Sequence, residues 1–171
     1  MHNIHGIDHV GITVPDIEQA TQFFIEALAA EVLYDTFTKN EPKRDSTETQ
    51  VRLGIPSNTA QRAIRMLKLP NGPGLELFEY EKPHQSGPVD PADIGWTHIA
   101  IYVENIYKVL KQVEIAGGKR QADPQPLGGI EKGANNLFCY VKTPWGSTIE
   151  LISYPSPQPY QSITNKRKWQ V

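Results

Sequence analysis

Ile7-Asp8-His9-Val10-Gly11-Ile12-Thr13-Val14 is answered further along the chain by Trp96-Thr97-His98-Ile99-Ala100-Ile101-Tyr102-Val103. In each stretch apolar residues alternate with others at the period of two that marks a strand, and a His opens the run. Each is followed by an acidic or Asn-containing turn, Pro15-Asp16-Ile17 and Glu104-Asn105-Ile106. A helical pattern comes next: Ile17, Ala20, Phe23, Phe24, Ala27 and Leu28 in one case, Ile106, Val109, Leu110, Val113 and Ala116 in the other. Both follow the i, i+3, i+4, i+7 spacing of a one-sided helix. Asp16 and Asn105 suit the N-cap, and Gly117-Gly118 suits a helix stop.

The ends of the two halves match as well. Leu69-Pro70-Asn71-Gly72-Pro73-Gly74-Leu75-Glu76-Leu77-Phe78-Glu79-Tyr80 aligns with Thr143-Pro144-Trp145-Gly146-Ser147-Thr148-Ile149-Glu150-Leu151-Ile152-Ser153-Tyr154. Each reads as a Pro/Gly turn leading into a strand, with the preceding strands at 63–69 and 137–143. The chain is therefore a repeat of strand, helix, strand and two-stranded hairpin. His9 and His98 are 89 positions apart and Glu76 and Glu150 only 74, so the first half carries an insertion of about 15 residues. The polar stretch 39–62 holds it, as a binding loop or lid or as a plain surface excursion. The expected layout is a first module at 4–82, a linker at 83–93, a second module at 94–155 and a tail at 156–171, extended through Pro155–Pro159.

Strand alternation separates the candidate residues from the helix-facing ones. Val10, Ile12 and Val14, like Ile99, Ile101 and Val103, should pack under the helices; His9 and His98 point away. In the later strands Leu75 and Leu77, or Ile149 and Leu151, share one face. Glu76, Phe78 and Tyr80, or Glu150, Ile152 and Tyr154, share the other. A carboxylate in a strand interior is costly to desolvate unless paired or bound to a cation. A His and a Glu recurring at equivalent places in two halves point to a divalent-metal site made of His9, Glu76, His98 and Glu150. The plain alternative is a solvated Glu and an ordinary strand His in each half.

The bulk composition narrows the partners. The 171 residues include 39% hydrophobic and 21% charged, with 17 Lys and Arg against 19 Asp and Glu, a net charge of -2. That balance gives no electrostatic reason for a nucleic-acid or anionic-membrane partner, and Lys166, Arg167 and Lys168 read as a solvated tail. No apolar run approaches a membrane span and no signal-peptide pattern opens the chain, so a cytoplasmic protein acting on a small molecule is expected. Cys139 stands alone, which excludes an internal disulfide and any Cys-rich zinc motif; it reads as a buried strand residue.

These motifs resemble the vicinal oxygen chelate superfamily, which includes glyoxalases, bleomycin-resistance proteins and extradiol dioxygenases. The carriers are Asp8-His9-Val10-Gly11-Ile12 with Asp16, Gly74-Leu75-Glu76-Leu77-Phe78-Glu79-Tyr80, Thr97-His98-Ile99-Ala100 and Pro144-Trp145-Gly146-Ser147-Thr148-Ile149-Glu150-Leu151. The resemblance implies an α+β fold of two tandem βαβββ modules, a mixed sheet curled around a metal cleft, and a homodimer. It also implies the His-Glu-His-Glu ligand set of bacterial-type glyoxalase I, close to that of methylmalonyl-CoA epimerase. One Zn, Ni, Co, Mn or Fe ion would suit these donors. The implied chemistry is that of a lyase or isomerase working through a metal-stabilised enediolate, with Glu150, or else Glu76, as the proton-moving base.

Two other readings belong to the same superfamily. An extradiol-type dioxygenase would use Fe(II) with two His and one carboxylate. A drug-sequestering protein would need none of the four ligands. Phe78, Tyr80, Tyr102 and Trp145, with Phe138, are candidates to line a substrate cleft, or else ordinary core and turn aromatics. Gly128-Gly129 and Gly133 suggest a loop at its mouth. Glyoxalase I carries an Arg in the strand after its first helix, and residues 31–38 contain none, which argues against glutathione as a co-substrate.

Overall fold

The computed structural model describes residues 4–169 and divides the chain into two compact units. One holds the described residues up to Ile25 together with Ala29–Ser86; the other holds Glu26–Leu28 and the described residues from Gly87 onward. Among the described residues the architecture is α+β, with two sheets, three helices and no closed barrel.

In the first unit β1 (His9–Val14), β2 (Glu31–Phe37), β3 (Ala60–Lys68) and β4 (Gly74–Glu81) form a sheet in the order β1-β4-β3-β2. β1 runs parallel to β4 although 59 residues separate Val14 from β4's first residue, Gly74, so the strands with His9 and Glu76 become neighbours. Helix α1 (Ile17–Leu28) starts where expected, with the Asp16 carboxylate accepting from the Gln19 backbone nitrogen at 2.8 Å. Its N-terminus is fixed to one sheet face. Glu79 on β4 accepts from the Ile17 nitrogen at 2.7 Å, and Arg65 on β3 reaches Glu18 at 2.8 Å and the Thr21 hydroxyl at 3.1 Å. Val14, Leu67, Leu75 and Leu77, all on that face, are fully buried or nearly so. Removing this much apolar surface from water is the main favourable term in forming the layer.

The insertion is ordered rather than a bare loop. It contains a short helix, α2 (Thr47–Leu53), capped by Ser46 and closed at Gly54, whose φ of 66° falls in the left-handed region. The buried Gln50 amide donates to the carbonyls of Asp45, Ser57 and Thr59, tying both ends of the insertion together. Backbone bonds between Arg44 and Gln61 then attach it to β3. The sequence offered no helical periodicity here because seven residues make fewer than two turns.

In the second unit β5 (His98–Tyr102), β8 (Leu137–Lys142) and β9 (Thr148–Ser153) form the body of a sheet that runs β5-β9-β8 and is extended beyond β8 by β6 (Lys119–Arg120). Helix α3 (Ile106–Ile115) packs on β8 and β9 and buries Ile106, Leu110 and Val113. It stops at Ala116, with Gly117 at φ 91° and the Gly118 nitrogen bonded back to Val113 at 2.8 Å. The middle strand of this half differs from its counterpart. It is reduced to β6 (Lys119–Arg120) and β7 (Gln125–Pro126), because Pro124 and Pro126 lack the N–H donors a continuous ladder needs. Cys139 is buried on β8, as its sequence context suggests.

The tail is tethered to its own unit. It leaves β9 through Pro155, and a single 3-10 turn at Pro159–Ser162 follows, entered from an extended Gln158 (φ -100°, ψ 135°). Fully buried Asn136 bonds the Ser156 carbonyl and nitrogen, the Gln158 amide donates to the Glu131 carbonyl, and Lys168 pairs with Glu131. Among the described residues no helix is long and apolar enough to cross a membrane.

Candidate metal centre

Each unit brings one His and one Glu together. In the first, β1 and β4 are aligned so that Gly11 lies opposite Glu76 and Thr13 opposite Phe78. His9, one step up the same face, places Nε2 at 3.2 Å from Glu76 Oε2. In the second, Ala100 lies opposite Glu150, and His98 places Nε2 at 3.2 Å from Glu150 Oε2. The register offset and the separation are the same, so the sequence repeat is a geometric repeat as well. Both Glu side chains are largely buried, at 20% and 14% exposure. Two ligands at roughly 2.1 Å from one cation stand roughly 3.0–3.4 Å apart for bond angles between octahedral and tetrahedral. Each pair therefore fits adjacent positions on a single divalent ion. Among the described residues no group of three or more His, Cys, Asp or Glu side chains is arranged to hold a metal.

The opposite nitrogen of each imidazole is also engaged. His9 Nδ1 is 2.7 Å from Asp8 Oδ2, and His98 Nδ1 is 3.0 Å from the Thr97 hydroxyl. The Asp8 hydrogen bond holds the His9 pKa above its ordinary value; desolvation opposes this and the Glu76 charge adds to it.

Around Glu76 the face is aromatic. Phe78 and Tyr80 are stacked with ring centres 6.0 Å apart, and the Phe78 ring lies over Gly11, where an added Cβ would meet it at 3.3 Å. Gly74 is more constrained: an added Cβ would fall 2.9 Å from Met66 Sδ, 3.2 Å from the Leu67 carbonyl and 3.4 Å from His9 Cβ. Burial raises the Tyr80 pKa, with Gln61 opposing.

Around Glu150 the face is aromatic too, but differently built. Tyr102 packs on Tyr154 at 4.3 Å, and Trp145 sits half-buried in the turn joining β8 to β9, at the His98 end. Tyr140 lies opposite Glu150 on β8 and meets the His98 ring edge-on at 5.3 Å; Phe138 in turn meets Tyr140 at 5.7 Å. Burial first, then the Glu150 charge, raises the Tyr140 pKa, so its hydroxyl stays protonated. The Lys142 ammonium donates to Thr148 at 2.7 Å on the same face. The sequence reading assigned no site role to Tyr140 or Lys142, and quoted Asp8 and Thr97 only as neighbours of the His residues. A hairpin register counted back from Pro144-Trp145-Gly146 would have placed Tyr140 across from Glu150.

A helix-backed sheet carrying a strand His beside a strand Glu is made twice in one chain. The chain belongs to the Glyoxalase/Bleomycin resistance protein/Dioxygenase superfamily, whose model matches residues 6–151. It is 34% identical over 169 residues to a 2-epi-5-epi-valiolone epimerase from Actinomyces sp, covering 96% of this chain and 88% of that protein. It is 30% identical to a putative lactoylglutathione lyase from Brassica oleracea var. gemmifera, over 88% of this chain, and spans only 45% of that longer protein. A glyoxalase family protein from Bacillus cereus shares the fold, with a TM-score of 0.65 at 18% identity over 89% of this chain and 95% of that one.

Proposed function

We propose that the protein is a metal-dependent epimerase of small polyhydroxylated cyclic ketones, with His9, Glu76, His98 and Glu150 as the ligands of one divalent ion. The observation that carries this reading is the repeated His–Glu pair at 3.2 Å. The epimerase relative supports the substrate class, since it is matched over 88% of its own length. The two pairs would come from one chain or from two copies of it; a homodimer is part of the proposal.

A bound Zn, Ni, Co, Mn or Fe ion would polarise a substrate carbonyl and make the neighbouring C–H acidic. Glu150 would take that proton, with Glu76 as the second candidate for the base; inversion requires a proton to be delivered to carbon on the opposite face, and the other of these two carboxyl groups would supply it. The protonated Tyr140 hydroxyl, on the strand facing Glu150, would donate to a substrate oxygen. Phe78, Tyr80, Tyr102 and Trp145 would exclude water from the substrate. A lactoylglutathione lyase is the second reading, supported by the lyase relative. The lack of an Arg in β2 weighs against it, because a glutathione carboxylate would have no bidentate partner there.

The test combines elemental analysis with incubation in deuterium oxide. About one transition-metal ion per proposed site, and deuterium entering next to the carbonyl of 2-epi-5-epi-valiolone, are expected. A metal-free wild type prepared without chelator would overturn the metal centre. Metal without exchange, but with lactoylglutathione formed from methylglyoxal and glutathione, would favour the second reading. Oxygen consumption with a catechol would instead indicate the dioxygenase class.

A further inference from the structure

The two halves of the candidate centre differ behind the His rings. His9 is backed by a carboxylate, Asp8 Oδ2 at 2.7 Å from Nδ1, and His98 by a hydroxyl, Thr97 Oγ at 3.0 Å. Each backing residue directly precedes its His, just before the strand begins, and its side chain turns back to the ring. Position 8 is well suited to this: the Gly74 nitrogen donates to the Asp8 carbonyl at 2.9 Å, which fixes the backbone from which the carboxylate extends. A carboxylate that accepts a hydrogen bond from Nδ1–H selects the tautomer with a free Nε2 lone pair, holds the ring plane, and raises the electron density of the imidazole. A hydroxyl orients the ring without a carboxylate's charge. In both halves Nε2 is the atom that faces the Glu.

We infer that Asp8 is a positioning residue for His9, and that it makes His9–Glu76 the anchoring half of the metal centre and His98–Glu150 the looser half. The inference rests on the metal-centre reading above. It also gives a physical reason for the division of labour between the two carboxylates: the Glu in the weaker half can leave the ion to carry a proton while the other half keeps hold.

Competition titration of the full-length protein with Co(II) against a coloured chelator tests it without reference to turnover. Asp8→Ala should weaken Co(II) binding by about 10- to 100-fold, the usual effect of removing such a partner. Asp8→Asn, whose amide oxygen still accepts from Nδ1 but carries no charge, should recover part of the loss. Thr97→Ala should change affinity several-fold less than Asp8→Ala, and Thr97→Asp should tighten it. A merely structural Asp8 would shift the urea midpoint of the metal-free protein and leave Co(II) affinity alone. Equal affinity for Asp8→Ala and wild type overturns the inference while leaving the centre intact. Absence of Co(II) binding by wild type overturns the centre itself. Should Asp8→Ala fail to fold, Thr97→Asp decides: tighter binding supports the inference and unchanged binding overturns it.

Discussion

Glu79 accepts a 2.7 Å hydrogen bond from the backbone nitrogen of Ile17, at the first turn of α1, while Glu76, three residues earlier on the same strand, faces His9. An odd separation on a strand sends two side chains to opposite faces. One carboxylate of β4 therefore serves the fold and the other the candidate centre. Glu79 also takes Lys39 at 2.8 Å, which links the helix start to the strand after it.

The two carboxylates should respond oppositely to substitution. Glu79→Ala should lower stability by about 1–2 kcal/mol, through the lost helix-terminus bond and the loss of one of the two carboxylate partners of Lys39, with metal content unchanged. Glu76→Gln should keep the urea midpoint close to wild type and lose metal. Urea unfolding and elemental analysis of both variants check the pair; metal loss in Glu79→Ala alone would refute the division.

Asp16 should contribute to acid sensitivity. The Gln19 backbone N–H and then Lys39 hold its carboxyl below the ordinary range. A lowered folded-state pKa means stability that is present above the unfolded carboxylate value and is lost as pH falls through the folded one. Asp16→Asn should therefore flatten the stability profile at the acid end. Denaturation midpoints measured from neutral pH down to about 3 would show it, and an unchanged slope would contradict it.

Gly74→Ala should strike structure and site together. Met66 can move its flexible end away from the added carbon, but the Leu67 carbonyl 3.2 Å from it is backbone and can yield only by shifting the hairpin. A loss of about 1–3 kcal/mol and weaker metal binding are expected. Gly87→Ala, with nothing within 4 Å, is the silent control.

Glu150→Gln should cost more in turnover than in folding. If Glu150 moves the proton, deuterium exchange into substrate should drop by about 10²–10⁴. A larger effect from Glu76→Gln on exchange per bound metal would reverse the assignment of the base.

Asn136→Ala should release the tail. Its buried amide makes the bonds to the Ser156 backbone and the Glu131 carbonyl at 2.9–3.2 Å. About 1–3 kcal/mol of stability should go, and limited proteolysis should trim the chain beyond Tyr154 sooner than in wild type.

Most of the scaffold was legible because two short-range periodicities carry it. The 3.6-residue spacing of Ile17 to Leu28 located α1 to the residue, and the Asx caps at Asp16 and Asn105 stand as read. Alternation placed His9 with Glu76 and His98 with Glu150 on faces turned from the helix-contacting residues. Where no periodicity exists the reading was coarser. α2 is too short to announce itself, β6 and β7 are fragments broken at prolines, and the tail is tethered by single buried amides that leave no pattern in composition.

The sequence by itself determined that this chain is built twice from one plan, and which residue types recur at matching places, since repetition and side-chain alternation are properties of the chain. Only the tertiary structure decided which nitrogen of each His faces its Glu, that Asp8 backs one ring and Thr97 the other, and that Tyr140 stands beside His98. Those relations depend on parallel pairing between strands far apart in the chain and on the rotamers that packing leaves open.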